Sequence, residues 1–121
     1  METHDEKLYT LPSDADVTNA WRSLVLENVR RYPRLVQLMA RTKLDVTREG
    51  ETLLLRMYVS SKEQKRWLVN SRIAGFEKTL SGSLSPVSVR IAVEVNPKKA
   101  DWPGADREFI GLVSDKISAS L

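Results

Sequence analysis

Residues 52–59, TLLLRMYV, and 87–95, VSVRIAVEV, decide how this chain folds. In the first, Leu53, Leu55, Met57 and Val59 alternate with Thr52, Leu54, Arg56 and Tyr58. In the second, Val87, Val89, Ile91, Val93 and Val95 alternate with Ser88, Arg90, Ala92 and Glu94. A period of two lays the first set of each on one buried sheet face. Between the two strands Ser60 and Ser61 interrupt the alternation, and Lys62 to Leu80 follows a helical period. Val69, Ile73, Phe76 and Leu80 are four, three and four apart, a stripe that Leu68 broadens and Trp67 lies well off. Ser61, three residues before Gln64, is placed to cap this helix. The run 81–86, SGSLSP, forms a turn into the second strand, and a strand–helix–strand link of this kind predicts a parallel pair.

Working outward toward the N-terminus, Arg48-Glu49-Gly50-Glu51 is a glycine-containing hairpin turn. It joins the Thr52 strand to an antiparallel neighbour marked by Leu44 and Val46. Before it, Pro33 suits the first turn of a helix in which Leu35, Val36, Leu38 and Met39 are apolar while Arg34, Gln37 and Arg41 face water. A longer helix precedes that one. Ser13 and Asp16 make a capping box, and Val17, Ala20, Trp21, Leu24 and Val25 form one apolar stripe with Trp21 as its anchor. Toward the C-terminus, Asn96-Pro97 ends the strand, Trp102-Pro103-Gly104 turns the chain with Trp102 pinned against the domain, and a last helix carries Phe109, Leu112, Val113 and Ile117 on one side. Residues 1–12 read as a flexible tail and 13–121 as a single α+β interaction domain. Its expected order is α-α-β-β-α-β-α, with the helices packed on a small three-stranded mixed sheet.

The composition sets limits on function. A chain of 121 residues with 41% hydrophobic and 29% charged content is enough for one domain with its own core. There is no cysteine, and the single histidine, His4, lies in the polar N-terminal segment. Thiolate metal sites and a Ser-His-Asp triad are therefore not expected. No apolar run reaches the roughly 20 residues of a membrane span, and the acidic start is unlike a signal peptide, so the expected compartment is the cytoplasm. Neither a P-loop nor a Gly-x-Gly-x-x-Gly stretch is present. The sequence predicts no cofactor, no metal and no catalytic residues.

What remains is charge and apolar surface. Nineteen basic against sixteen acidic residues give a formal charge of +3, modest for a dedicated nucleic-acid binder. Two basic clusters stand out. Arg30, Arg31, Arg34, Arg41 and Lys43 are candidates for phosphate contacts. Lys62, Lys65 and Arg66 place cations at the start of a helix, against its macrodipole; with Trp67 they are candidates for a partner-binding patch. The order helix, strand, strand, helix, strand also resembles a KH-type module, which clamps nucleic-acid backbone through a Gly-x-x-Gly loop. Gly75 and Gly82 do not form that motif, so weak or no direct nucleic-acid binding is expected.

From about Ala15 to Trp102 the chain resembles the C-terminal domain of the bacterial DNA polymerase III tau subunit. The resemblance rests on Asn19-Ala20-Trp21 and its apolar stripe, on Tyr32-Pro33-Arg34-Leu35-Val36-Gln37-Leu38, and on Leu44 with the Gly50 hairpin. The Leu53–Val59 strand, the helix with Gln64, Leu68 and Asn70, and the Val87–Val95 strand with its exit Glu94-Val95-Asn96 complete it. It implies a truncated KH-like fold carried behind a clamp-loader ATPase, without enzymatic activity of its own. The implied role is to tether the replicative polymerase's catalytic subunit to the clamp loader. By position, Arg107, Phe109, Leu112 and Val113 would be the nearest counterparts of the polymerase-contacting end.

Overall fold

A computed structural model describes residues 12–120. The expected flexible tail therefore lies outside the described residues but for Pro12, which is buried. The chain runs α1 (Asp14–Glu27), α2 (Pro33–Arg41), β1 (Asp45–Glu49), β2 (Thr52–Val59), α3 (Lys62–Ser71), α4 (Ile73–Ser83), β3 (Ser88–Val95), α5 (Pro97–Ala100) and α6 (Arg107–Ser120). The strands form a mixed sheet of order β1-β2-β3. It is α+β, with helices on a small three-stranded sheet, as its two alternating segments predict.

The sheet follows from local chemistry. Gly50, at φ 61°, takes the left-handed conformation that a side chain disfavours. The hairpin therefore closes on Gly50 and Glu51 alone, pairing Glu49 with Thr52 in an antiparallel ladder. The connection through α3 and α4 returns the chain so that β3 runs parallel to β2, with Leu53 opposite Val89 and Leu55 opposite Ile91. Leu53, Leu55, Met57 and Val59 are all within 1% of full burial. Below them lie Trp21, Leu24 and Val25 of α1, Leu35, Val36 and Met39 of α2, and Phe109 and Val113 of α6. Trp21 also donates its indole N–H to the Met39 carbonyl at 3.2 Å, so the anchor of the stripe satisfies its polar atom inside the core. The free edge of β3 is shielded by α4: Ile91 N–H donates to Glu77 Oε2 at 2.7 Å and Val89 N–H to Ser81 Oγ at 2.9 Å.

Several expectations need correction. The single helix from Lys62 to Leu80 is two helices, broken at Arg72, whose φ of −131° and ψ of −24° leave the helical range. A continuous helix would place Leu68 and Ile73, five residues apart, roughly 140° from each other. The break lets both point into the core, Leu68 at 0% exposure, and turns Val69 out to 53%. Val95 likewise ends its strand 41% exposed, and Leu112 stands 43% exposed beside buried Phe109 and Val113. The helix α4 runs on to Ser83, shortening the expected turn, and Pro97 opens an extra helical turn capped by Asn96, whose side chain accepts from Lys99 N–H at 3.2 Å. Tyr58, on the sheet face away from the helices, is nonetheless 96% buried, because α5 folds over it and sets the Lys99 ammonium 4.8 Å from its ring.

Candidate interaction surface

Among the described residues the exposed large apolar side chains are Trp67, Val69, Val95 and Leu112. Trp67 is set in a groove. Helix α2 buries Leu35, Val36, Met39 and Ala40, so Arg34, Gln37, Leu38 and Arg41, spaced i, i+3, i+4 and i+7, fall along the opposite side of the same helix. Facing them across an opening of about 530 Å³ are Glu63, Gln64 and Trp67 at the start of α3.

The geometry of α3 fixes that wall. Ser61 accepts from Gln64 N–H at 3.2 Å, and Gln64 Oε1 accepts from Ser60 N–H at 2.7 Å. This is the predicted cap, with the return bond made one residue earlier than in a reciprocal box. Leu68 then anchors the helix from below, and Trp67, next to it in sequence, turns toward α2 and stays 43% exposed. At the break, the Arg72 guanidinium lies 4.5 Å over the Tyr32 ring, which meets Phe76 edge to face at 6.2 Å. That cluster braces the end of α3 against the start of α2.

The rest of the predicted partner patch divides. Lys62, Lys65 and Arg66 are exposed on α3, while Arg107 and Leu112 are exposed on α6. Phe109 and Val113 face the core, with Arg22 stacked 5.0 Å over the Phe109 ring. The last helix therefore offers a partner only Arg107 and Leu112 of the four residues named.

The basic cluster near α2 is dispersed as well. Arg30 lines a cleft against Lys116 of α6, and Arg31 lines another with Arg72 and Thr79. Arg34 and Arg41 line the α2–α3 groove. Lys43 is held elsewhere: its ammonium lies 3.4 Å from Asp45 Oδ1 and 4.9 Å from the Trp102 ring. Five cations close in sequence thus face four different surroundings.

Perturbed protonation sits away from the groove. The Tyr58 hydroxyl donates to Asp45 Oδ2 at 2.5 Å. That bond is the main reason the Asp45 carboxyl titrates below its ordinary value, helped by Lys43 and by Lys99, 3.6 Å away. Burial and the Asp45 charge push Tyr58 up to about 12. Asp16 and Asp106 are also lowered, Asp16 by the Ser13 N–H and hydroxyl it accepts from, Asp106 chiefly by Phe109 N–H at the start of α6. The last two are helix caps, and the Tyr58–Asp45 pair ties β2 to β1, with Lys99 of α5 set against both. Among the described residues no three His, Cys, Asp or Glu side chains gather as a metal site, and no helix is long and apolar enough to cross a membrane.

Sequence reasoning found Trp67, because its place off the apolar stripe predicts exposure. It read Arg34, Gln37 and Arg41 as a solvated face and did not join them to Trp67. Their i, i+3, i+7 spacing on a proline-started helix was the signal for a continuous wall. In comparisons with protein families, curated proteins and solved structures, nothing matches this chain.

Proposed function

We propose that this is a non-catalytic protein-interaction domain. Following its resemblance to the tau C-terminal domain, its role is to tether a replicative polymerase's catalytic subunit to a clamp loader in the bacterial cytoplasm. The observation that carries the interaction reading is Trp67, 43% exposed in an open groove beside the fully buried Leu68. Exposed aromatic side chains set among arginines are the composition of binding hot spots. The tether and its compartment rest on the resemblance alone.

The test is direct binding of the chain to the purified polymerase catalytic subunit of its own organism, followed by biolayer interferometry. A Kd near or below ~1 μM, about −8 kcal/mol, supports the tether; no binding at tenfold higher concentration overturns it. The alternative, a KH-like module using Arg30, Arg31, Arg34, Arg41 and Lys43 on phosphates, has dispersed cations behind it. Anisotropy with a labelled single-stranded oligonucleotide separates the two. A phosphate binder loses orders of magnitude in affinity from low to moderate salt, and sub-micromolar binding at physiological salt would favour it over the tether.

A further inference from the structure

We infer that the groove between α2 and α3 receives a short acidic segment of a partner protein, extended, with one large apolar side chain between two carboxylates three positions apart. This rests on the interaction-domain reading above and names what that domain holds.

Arg34 and Arg41 are seven residues apart on one helix, so their Cα atoms stand about 10 Å apart along its axis. In an extended peptide of polyproline II form three residues make one full turn of about 9 Å, so side chains three positions apart share a face at nearly the same spacing. Two carboxylates at that spacing meet the two guanidinium groups without bending either chain, and guanidinium–carboxylate pairing is the geometry arginine favours. Among the described residues neither arginine has an ion-pair partner.

Between the arginines lies Leu38, and across from it the Trp67 ring, both lining the groove. They leave an apolar slot for one anchoring side chain. An opening of about 530 Å³ is of the size that holds a few residues rather than a folded domain. The polar rim suits a peptide main chain. Gln64 Oε1 is occupied by Ser60 N–H, leaving the amide NH₂ to donate to a peptide carbonyl, and the Gln37 amide stands opposite on α2. Glu63, exposed on α3, can accept from the N–H groups of a peptide main chain. A phosphodiester backbone has none, and it carries a negative charge at every residue, so some of that charge must face Glu63, whereas a peptide can set its two carboxylates at Arg34 and Arg41 alone. Peptide is therefore favoured over nucleic acid at this groove. Outside it, Lys62 and Arg66 are exposed on the same helix as Trp67 and add to the positive field that draws an acidic segment in.

The experiment measures fluorescence anisotropy of a labelled synthetic peptide, with phenylalanine between an aspartate and a glutamate three positions apart, in serine and glycine flanks. Its comparators are the same peptide with both acids changed to lysine, and a labelled oligothymidylate. Saturable binding of the acidic peptide is expected, weakened about tenfold or more by Trp67→Ala and by the double change Arg34→Glu, Arg41→Glu. All three altered positions are exposed, and circular dichroism checks that the variants keep the fold. The double variant is expected to prefer the lysine peptide, a gain that general loss of structure cannot produce. Equal binding of the acidic and lysine peptides overturns the inference, as does binding indifferent to the double change. Tighter binding of oligothymidylate at the same groove also overturns it, in favour of nucleic acid. The two readings fail separately. Polymerase-subunit binding that survives the double change leaves the tether and removes the groove; charge-dependent peptide binding without polymerase binding leaves the groove and removes the tether.

Discussion

Two regions meet at the end of α2, and they treat the same kinds of residue in opposite ways. On one side, Thr42, Lys43, Asp45, Tyr58, Lys99 and Trp102 form a closed corner. Buried Thr42 accepts Tyr58 N–H at 2.8 Å, Lys43 N–H donates to the Lys99 carbonyl at 2.8 Å, and Trp102 N–H donates to the Arg41 carbonyl at 3.1 Å. Both lysines lie over aromatic rings and beside Asp45. On the other side, Arg34, Arg41 and Trp67 line open space. Cations and aromatics that are mutually satisfied close a seam. The same types left facing solvent across a groove are the surface we propose for a partner. The contrast separates stability from binding by residue, and each half can be attacked alone.

The largest effect is expected beneath the groove. Leu68 is fully buried and holds α3 against the sheet, so Leu68→Ala removes the support of one wall. A buried leucine truncated to alanine costs about 2–5 kcal/mol, from lost transfer energy and the cavity left behind. Urea unfolding would show it as a shift in midpoint, and groove binding should fall with the fraction folded. A loss under 1 kcal/mol would mean that α3 is held from elsewhere and that the two regions are less separate than they look.

Next comes the corner. Thr42→Val keeps the side-chain shape and removes the oxygen that accepts Tyr58 N–H, leaving a buried donor unpaired. The expected cost is about 1–3 kcal/mol, with peptide binding in the groove unchanged apart from that loss of stability. If binding weakens while the fold is intact, corner and groove are coupled through Arg41, whose carbonyl belongs to one and whose side chain belongs to the other.

The Tyr58–Asp45 pair makes the corner sensitive to pH at both extremes, by a smaller amount. The folded-state pKa of Asp45 is depressed, so its contribution is present above the unfolded value of about 3.9 and is lost as pH falls through the lower folded value. Tyr58 is raised to about 12, so its contribution is present below the unfolded value near 10 and is lost as pH rises through about 12. Stability followed by denaturation across pH should therefore show an acid limb that Asp45→Asn flattens and an alkaline limb that Tyr58→Phe flattens. Limbs unchanged in both variants would mean that other groups set the pH profile.

The two regions also differ in how far the sequence reveals them. Alternation over 52–59 and 87–95 carried the sheet, its mixed topology and its core, because a period of two commits a face over many residues at once. The Gly50 turn and the Ser13 and Ser61 caps are written in neighbouring residues and were equally legible. The break at Arg72 was not. No glycine or proline marks it, and only the need to bury both Leu68 and Ile73 forces it, which is a tertiary demand. Burial of Tyr58 depends on α5, about forty residues later in the chain, folding back over it, and alternation alone assigns Tyr58 to the outer face. The groove joins residues 34–41 to residues 63–67, two helices separated by the hairpin, so each wall reads as an ordinary solvated face. Lys43 shows the converse: in sequence it belongs to a basic cluster, and in space an acid and an aromatic ring hold it.

The smallest expected effect on stability is the most informative about function. Trp67 and Leu68 are adjacent, yet one is 43% exposed and the other fully buried. An exposed side chain without a hydrogen bond or core contact to lose falls in the class of surface substitutions worth within about 0.5 kcal/mol. Trp67→Ala should therefore leave the urea midpoint nearly where it was, while Leu68→Ala one position away moves it by several times that amount. On the reading proposed above, an aromatic of this size on a groove wall, contributing almost nothing to the fold, serves contact with a partner. Should Trp67→Ala instead cost more than about 2 kcal/mol, the indole belongs to the core like Trp21. The groove would then be a packing defect between two helices, and the contrast with the closed corner would disappear.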